Sequence, residues 1–214
     1  MAATSTPCPI TFSDVPEGSA FYEYVRCLAC RGIVSGYEDG TFRPDNNTTR
    51  GQTAKIVSNA ANFQDDVTGR QTYADVPGSQ TFWLWIERLT AHQVMGGYTC
   101  GGLGEPCDPQ QRPYFRPFNN ATRGQLSKIV SNAANFTEEH NQQTFADVPT
   151  AHTFYQFIER LASRQVIGGY NCGGPNEPCD PQQRPYFRPG NNVTRGQASK
   201  IVANTFFPNC QTPR

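Results

Sequence analysis

The chain has 214 residues, of which 36% are hydrophobic, 12% aromatic and 17% charged. This composition is typical of a globular protein rather than a disordered one. Lys and Arg together number 18, as do Asp and Glu, so the formal net charge is zero. Nucleic-acid binding and attachment to anionic lipid both rely on a clustered basic surplus, and the balance disfavours both. No apolar run approaches the roughly 20 residues of a transmembrane helix, so we expect no membrane span.

Eight cysteines at short, matching spacings favour an extracytoplasmic protein with disulfide bonds. The first residues, however, lack the basic and apolar regions of a secretion signal. We therefore expect the sequence to be a mature chain or a fragment of a longer exported protein.

Four motifs recur three times and divide the chain into repeats. In chain order they are aromatic-x-Asp-Val-Pro from positions 12, 73 and 145, Gly-Tyr from 36, 97 and 169, Phe-Arg-Pro from 42, 115 and 187, and Thr-Arg-Gly-Gln from 49, 122 and 194. Polar stretches at 64–71 and 137–143 separate the copies. We place the repeats at residues 9–64, 72–137 and 144–208.

The first predicted element of each repeat is a short helix. Large apolar residues at i, i+4 and i+7 give it one apolar stripe. They are Phe21, Val25 and Leu28, then Phe82, Ile86 and Leu89, then Phe154, Ile158 and Leu161. We expect the Asp-Val-Pro segment ahead of each helix to cap it and to end any preceding helix.

The second predicted element is a helix that begins at Thr-Arg-Gly-Gln. Thr followed three residues later by Gln forms a capping box, in which each side chain satisfies a free backbone N–H. The third copy ends differently, in Asn204-Thr205-Phe206-Phe207, as a terminal repeat often does. Because two short helices cannot bury their apolar faces alone, we expect the three repeats to share one core.

The cysteines predict two disulfides directly. Six residues rich in Gly and Pro separate Cys100 from Cys107, and the spacing recurs at Cys172 and Cys179. Such a loop can turn back to close a bond, which would pin a segment with little core of its own.

Four cysteines remain, namely Cys8, Cys27, Cys30 and Cys210. The Cys27-x-x-Cys30 spacing resembles a redox or zinc motif, and four thiolates can in principle hold zinc. These two cysteines lie in a predicted helix rather than a knuckle, however, which favours disulfides. If the chain ends meet, Cys8 and Cys210 can each bond to one member of the pair, in either pairing.

Together these motifs strongly resemble the S-layer homology family over residues of about 10 to 207. The resemblance implies an all-α fold of three helix-loop-helix repeats with pseudo-threefold symmetry and grooves between neighbouring repeats. It also implies non-catalytic binding of secondary cell-wall polysaccharide, often pyruvate-bearing, at a prokaryotic cell surface. Two features depart from the family pattern. The family commonly has Thr-Arg-Ala-Glu in place of Thr-Arg-Gly-Gln, and the loops of repeats two and three are 12 residues longer than that of repeat one.

The candidate ligand-binding residues lie at the start of each second helix and in each Gly-Tyr loop. A cation in the first helical turn opposes the helix dipole, so we expect an anion beside it. A guanidinium with free helix N–H groups would bind a carboxylate, and the following glycine would let a ligand approach the backbone. The alternative is that each arginine pairs with Asp14, Asp75 or Asp147. The candidates are Arg50, Arg123 and Arg195, the glycines Gly51, Gly124 and Gly196, and, for contact with a glycan, Tyr37, Tyr98 and Tyr170.

The remaining features are less specific. We expect most other aromatic residues to pack between helices, and the three Asn-x-Thr sequons permit glycosylation but are equally typical of turns. No pattern indicates a catalytic site or a cofactor. The leading hypothesis is a binding module for an acidic cell-wall polysaccharide. The alternative is a structural protein that self-assembles into a surface lattice or filament.

Overall fold

The structure, a computed structural model, describes residues 8–210. Within this range it has six α-helices and no β-strand beyond isolated bridges, which confirms the all-α class. The helices are α1 (Tyr22–Ala29), α2 (Arg50–Ala60), α3 (Trp83–Ala91), α4 (Arg123–Ala133), α5 (Tyr155–Ser163) and α6 (Arg195–Phe206).

Each second helix begins at the predicted capping box. The Thr49 hydroxyl accepts the N–H of Gln52 at 3.2 Å, and the Gln52 side-chain oxygen accepts the N–H of Thr49 at 3.0 Å. The same reciprocal pair begins α4 and α6. The candidate arginine is therefore the first helical residue in all three repeats.

The helices pack mainly across repeat boundaries. Helix α3 packs on α2, α5 packs on α4, and α1 packs on α6, while α2, α4 and α6 contact one another in the centre. Each first helix thus lies on the second helix of another repeat. The contact of α1 with α6 brings the third repeat back to the first and closes a ring.

A triangle of backbone hydrogen bonds marks the centre of this ring. Thr48 donates its N–H to Val193 at 2.9 Å, Val193 donates to Ala121 at 3.0 Å, and Ala121 donates to Thr48 at 2.9 Å. All three residues are fully buried. Since each lies two residues before a second helix, the N-terminal ends of α2, α4 and α6 converge at this triangle.

The core is largely shared between the repeats, as the short helices require. The inner positions of the predicted stripes are at most 1% exposed. They are Val25, Leu28, Ile86, Leu89, Ile158 and Leu161. One apolar cluster includes residues from all three repeats, and a smaller one, built on Phe145, Ile158 and Phe187, belongs to the third.

The Asp-Val-Pro segment does not cap the first helix, so that expectation was wrong. Phe21 occupies the N-cap position of α1, and no side chain caps the helix. The Asp14 carboxylate instead accepts the N–H groups of Phe42 at 2.7 Å and Arg43 at 2.6 Å. Asp75 and Asp147 bind the Phe-Arg-Pro segments of their own repeats in the same way. The helix starts several residues after the aspartate, so the carboxylate does not reach the helix N–H groups. It accepts instead from two N–H groups of the loop that precedes the second helix of the same repeat.

All eight cysteines form disulfides. The loop bonds Cys100–Cys107 and Cys172–Cys179 occur as predicted, and the remaining four cysteines pair as Cys8–Cys30 and Cys27–Cys210. The zinc interpretation of Cys27 and Cys30 is excluded, because neither has a free thiolate.

Candidate functional site

Three hollows lie at equivalent positions between the repeats, and each draws residues from all three. We name each by its tyrosine: the Tyr37 groove of about 170 Å³, the Tyr98 groove of about 300 Å³ and the Tyr170 groove of about 320 Å³. In the Tyr98 groove, repeat two supplies the 94–98 segment and one face of α4, repeat three supplies Phe154, and repeat one supplies Arg50. A single repeat therefore cannot form a complete groove.

Equivalent residues form the other two grooves, with the three contributing repeats exchanged in cyclic order. In the Tyr37 groove the arginine is Arg195 and the phenylalanine is Phe82. In the Tyr170 groove they are Arg123 and Phe21. The structure thus brings the predicted arginines and tyrosines together, but always from different repeats.

The groove arginine is held by carbonyl oxygens of another repeat. Arg50 is 5% exposed, and it donates from Nε to the Phe115 carbonyl at 2.8 Å and from Nη2 to the Gly96 carbonyl at 2.9 Å. Arg123 and Arg195 donate from Nε at 2.8 Å to Phe187 and Phe42, and from Nη2 to Gly168 at 3.5 Å and Ser35 at 3.0 Å. Burial lowers the pKa of all three guanidinium groups.

The predicted alternative, direct pairing with an aspartate, does not occur. None of the three arginines forms an ion pair with a carboxylate among residues 8–210. Within the same range Nη1 of each arginine has no hydrogen-bond partner. It is also not among the fully buried polar atoms that lack one, so a ligand can reach it. Both N–H groups of Nη1 therefore remain for a ligand in each guanidinium.

The expectation of free helix N–H groups was wrong. Arg50 donates its N–H to the Asn119 carbonyl and Gly51 donates to Pro117, both at 2.8 Å. The starts of α4 and α6 are satisfied in the same way by a neighbouring repeat. Inter-repeat packing uses these donors, so an anion in the groove would meet side chains rather than the helix backbone.

The candidate glycines face a phenylalanine ring. A Cβ added to Gly51 would lie 2.3 Å from Cδ2 of Phe82, and Gly124 and Gly196 face Phe154 and Phe21 at 2.4 and 2.5 Å. The close approach that the sequence suggested for a ligand is made here by a neighbouring repeat.

Each groove tyrosine stacks with two guanidinium groups. Cζ of Arg50 lies 5.0 Å from the ring centre of Tyr98, and Cζ of Arg116 lies 4.0 Å from it. Tyr37 and Tyr170 have equivalent partners. In the long loop the outer arginine also forms a two-bond ion pair, from Arg116 to Glu105 with both distances 2.7 Å, which lowers the pKa of Glu105. The ring is thereby fixed in place at the groove.

Sequence reasoning missed a second cation in each groove. Lys55, Lys128 and Lys200 line the three grooves, each with Nζ 4.8 to 5.6 Å from the centre of an aromatic ring. The signal was present, since each lysine follows its arginine by five residues in every repeat. In the described part of the chain, no acidic side chain lines any of the three grooves.

Two general properties bear on the kind of site. None of the helices within residues 8–210 is both long and apolar enough to cross a membrane. The same range holds no group of three or more side chains that could bind a metal ion. What the fold does present is a ring of helical repeats with three cationic, aromatic-lined grooves.

Comparison with known proteins finds one family model and several relatives. Residues 11–54 of this chain match the family model of the S-layer homology domain. The whole chain is 28% identical over 209 residues to a cell surface glycoprotein 1 of Acetivibrio thermocellus, covering 90% of this chain and 8% of the relative. It is 25% identical over 198 residues to a cellulosome-anchoring protein of the same organism, covering 88% of this chain and 37% of the relative.

A third relative carries an enzyme's name. An amylopullulanase of Thermoanaerobacterium thermosulfurigenes is 22% identical over 200 residues, covering 90% of this chain and 9% of the relative. The chain thus corresponds to only a part of each of these three relatives. Disulfides are typical of oxidising, extracellular surroundings, so the four disulfides of this chain are consistent with its similarity to a protein named for the cell surface.

Proposed function

We propose that the chain is a non-catalytic module that anchors a protein at a prokaryotic cell surface by binding an acidic cell-wall polysaccharide, such as a pyruvylated one. The observation that carries this proposal is the charge of the grooves. Each joins a buried guanidinium and a lysine ammonium from two different repeats, in a hollow that no described acidic side chain lines.

The buried guanidinium favours an anionic ligand. Removing a charge from water is costly unless an opposite charge or good hydrogen bonds compensate, and burial lowers the pKa of Arg50. Two carbonyl oxygens compensate it in part. A carboxylate accepting from Nη1 would complete the set, and one such charge-assisted bond contributes about 1.5–3 kcal/mol.

Shape and lining favour a saccharide. Sugar-sized ligands suit hollows with apolar and aromatic walls and a few placed polar groups. Each groove pairs a tyrosine and a phenylalanine with Arg, Lys and Gln side chains. The volumes lie near or below the lower end of the usual range of about 300–1,000 Å³. A groove would therefore hold a short segment of a polymer, and three grooves would hold the polymer more strongly than one.

The names of the relatives support anchoring rather than catalysis. Similar segments occur in a cell surface glycoprotein, a cellulosome-anchoring protein and an amylopullulanase, in each case as a minor part of the protein. A segment shared by proteins with such different names is expected to supply a common attachment function. The catalytic activity of the amylopullulanase would then reside in the rest of that protein.

The proposal is tested by removing the groove lysines, whose ammonium groups donate no hydrogen bond among the described residues. The combined Lys55→Met, Lys128→Met and Lys200→Met variant keeps the stems and loses three groove charges. We expect its binding to purified Acetivibrio thermocellus walls, measured by sedimentation, to fall about tenfold or more. Each lost ammonium–aromatic contact costs about 0.5–1 kcal/mol of stability, so the melting temperature should fall by no more than about 12 °C and the variant should remain folded.

A matched control removes three cations outside the grooves, by Arg70→Met, Arg112→Met and Arg184→Met. This variant should sediment with walls as the wild type does. If the lysine variant is folded and still binds at wild-type strength, the grooves are not the binding sites. If the wild-type protein ignores walls but polymerises in buffer, the self-assembly hypothesis replaces this one. Leu103 and Phe118 of repeat two, 106% and 72% exposed, would then be the first contacts to test.

A further inference from the structure

Both ends of the described chain are covalently attached to one turn of one helix. Cys8 is bonded to Cys30, with 5.8 Å between their Cα atoms, and Cys210 is bonded to Cys27, with 6.0 Å between theirs. Cys27 lies in α1 and Cys30 is its C-cap, so one helical turn separates the two attachment points. A covalent path from residue 8 to residue 210 thus avoids nearly all of the backbone between them.

The second of these disulfides crosses a particular junction of the ring. Stretches of 22 and 21 residues connect α2 to α3 and α4 to α5, the two junctions formed by helices that are neighbours in sequence. Helices α1 and α6 also pack together, although nearly the whole described chain separates them. The Cys27–Cys210 bond supplies there the covalent continuity that the peptide chain supplies at the other two junctions.

We propose that Cys8–Cys30 and Cys27–Cys210 form a mechanical bypass. Tension applied to the chain on either side of residues 8–210 enters through one disulfide, crosses a single turn of α1 and leaves through the other. Of the shared core only Cys27, Leu28 and Ala29 lie on this path, and the three grooves lie outside it, so the grooves and the rest of the core carry no load. A module built in this way keeps its grooves intact while the chain that runs through it is pulled.

The surroundings of the two bonds fit this role. Arg26 donates from Nη2 to the Cys8 carbonyl at 2.9 Å, and Arg31 donates from Nη1 to the Cys27 carbonyl at 2.9 Å. The Arg31 guanidinium also lies over the ring of Phe207, 4.9 Å from its centre, close to the Cys210 end. Arg26 therefore holds the Cys8 end on α1, and Arg31 bridges the Cys27 carbonyl of α1 and Phe207, three residues before Cys210.

The loop disulfides provide the internal contrast. Cys100–Cys107 and Cys172–Cys179 join residues only seven positions apart, and neither lies on the path between Cys8 and Cys210. They pin local loops. The disulfides of the bypass and the loop disulfides thus have different roles, and mutation can remove either set without the other.

Single-molecule force spectroscopy of the whole chain, held by handles at its two ends, tests the bypass without any ligand. The wild type should show no release of internal chain at forces below those that break covalent bonds. The paired Cys27→Ser and Cys210→Ser variant leaves the chain after Cys30 in the path. It should therefore lengthen by about 60 nm, since about 180 residues extend by roughly 3.5 Å each.

The paired Cys100→Ser and Cys107→Ser variant is the control, and it should behave as the wild type does. If the Cys27 and Cys210 variant fails to fold, its resting contour length should already exceed that of the wild type by the same 60 nm. The proposal is overturned if wild-type protein, with all four disulfides verified by non-reduced peptide mapping, lengthens by tens of nanometres. Because no wall material is present, this result is independent of the outcome for glycan binding.

Discussion

Replacing Gly51 with alanine sets helix propensity against packing between repeats. Gly51 is the second residue of α2, where alanine would by itself stabilise the helix by about 1 kcal/mol. The added Cβ, however, would lie 2.3 Å from Cδ2 and 2.8 Å from Cγ of Phe82, against about 3.5–4.0 Å for a comfortable carbon contact. The ring belongs to the next repeat and must move by more than 1 Å. Such overpacking costs about 1–3 kcal/mol, so we expect a net loss of up to about 2 kcal/mol of the free energy of unfolding.

Urea unfolding of the wild type and four variants (Gly51→Ala, Gly78→Ala, Phe82→Ala and the Gly51→Ala and Phe82→Ala double variant) measures this balance. Gly78→Ala is the matched control, because a Cβ there meets nothing within 4 Å, and it should change stability by no more than about 0.5 kcal/mol. In a Phe82→Ala background the obstacle is gone, and Gly51→Ala should become neutral or stabilising. A Gly51→Ala protein that is more stable than the wild type, or whose change in stability is the same in the Phe82→Ala background, would refute the claim that the neighbouring ring requires a glycine here.

Three further predictions follow from the same contacts. Asp75→Ala removes two charge-assisted hydrogen bonds to loop N–H groups, so the free energy of unfolding in urea should fall by about 3 kcal/mol, and Asp75→Asn, which keeps one acceptor, should lose less. Their arginine partners lower the pKa of Glu105 and Glu177, so these carboxylates stabilise the long loops at any pH above the usual carboxyl pKa of about 4.3. Amide exchange should therefore show the loops loosening as the pH falls below about 4 and unchanged between about pH 6 and 8. Loosening on the alkaline side would contradict the assignment. A fragment of residues 73–137 contains α3 without its partner α2, so it should show no cooperative melting by circular dichroism, and a sharp transition would show that one repeat is a folding unit.

The local features of the fold could be predicted because local rules decide them. The capping box at Thr49 and Gln52 depends on a spacing of three residues, and the buried stripe of α1 depends on helical periodicity. The loop disulfides depend on a short, turn-rich spacing. In each case the interacting residues are close in sequence.

The features that failed are those decided by contacts between residues far apart in sequence, most of them between repeats. Nothing local to Arg50 indicates that its carbonyl partners lie at Gly96 and Phe115, in another repeat. The helix N–H groups expected to be free are satisfied across the same boundary. Asp14 was assigned to the adjacent helix because the two are neighbours in sequence, but it binds the loop that returns nearly 30 residues later. The groove lysines are the exception, since their spacing from the arginines was visible in all three repeats.

The central claim is that the grooves bind a wall polysaccharide through its acidic groups, and calorimetry tests it most directly. Polysaccharide released from Acetivibrio thermocellus walls is titrated into the wild-type chain before and after chemical reduction of its carboxyl groups to alcohols. Loss of one charge-assisted hydrogen bond per groove, about 1.5–3 kcal/mol, predicts a tenfold to hundredfold weaker affinity for the reduced polymer. Equal affinity for the two polymers would contradict the claim, because the buried arginines and the groove lysines would then have no anion to bind.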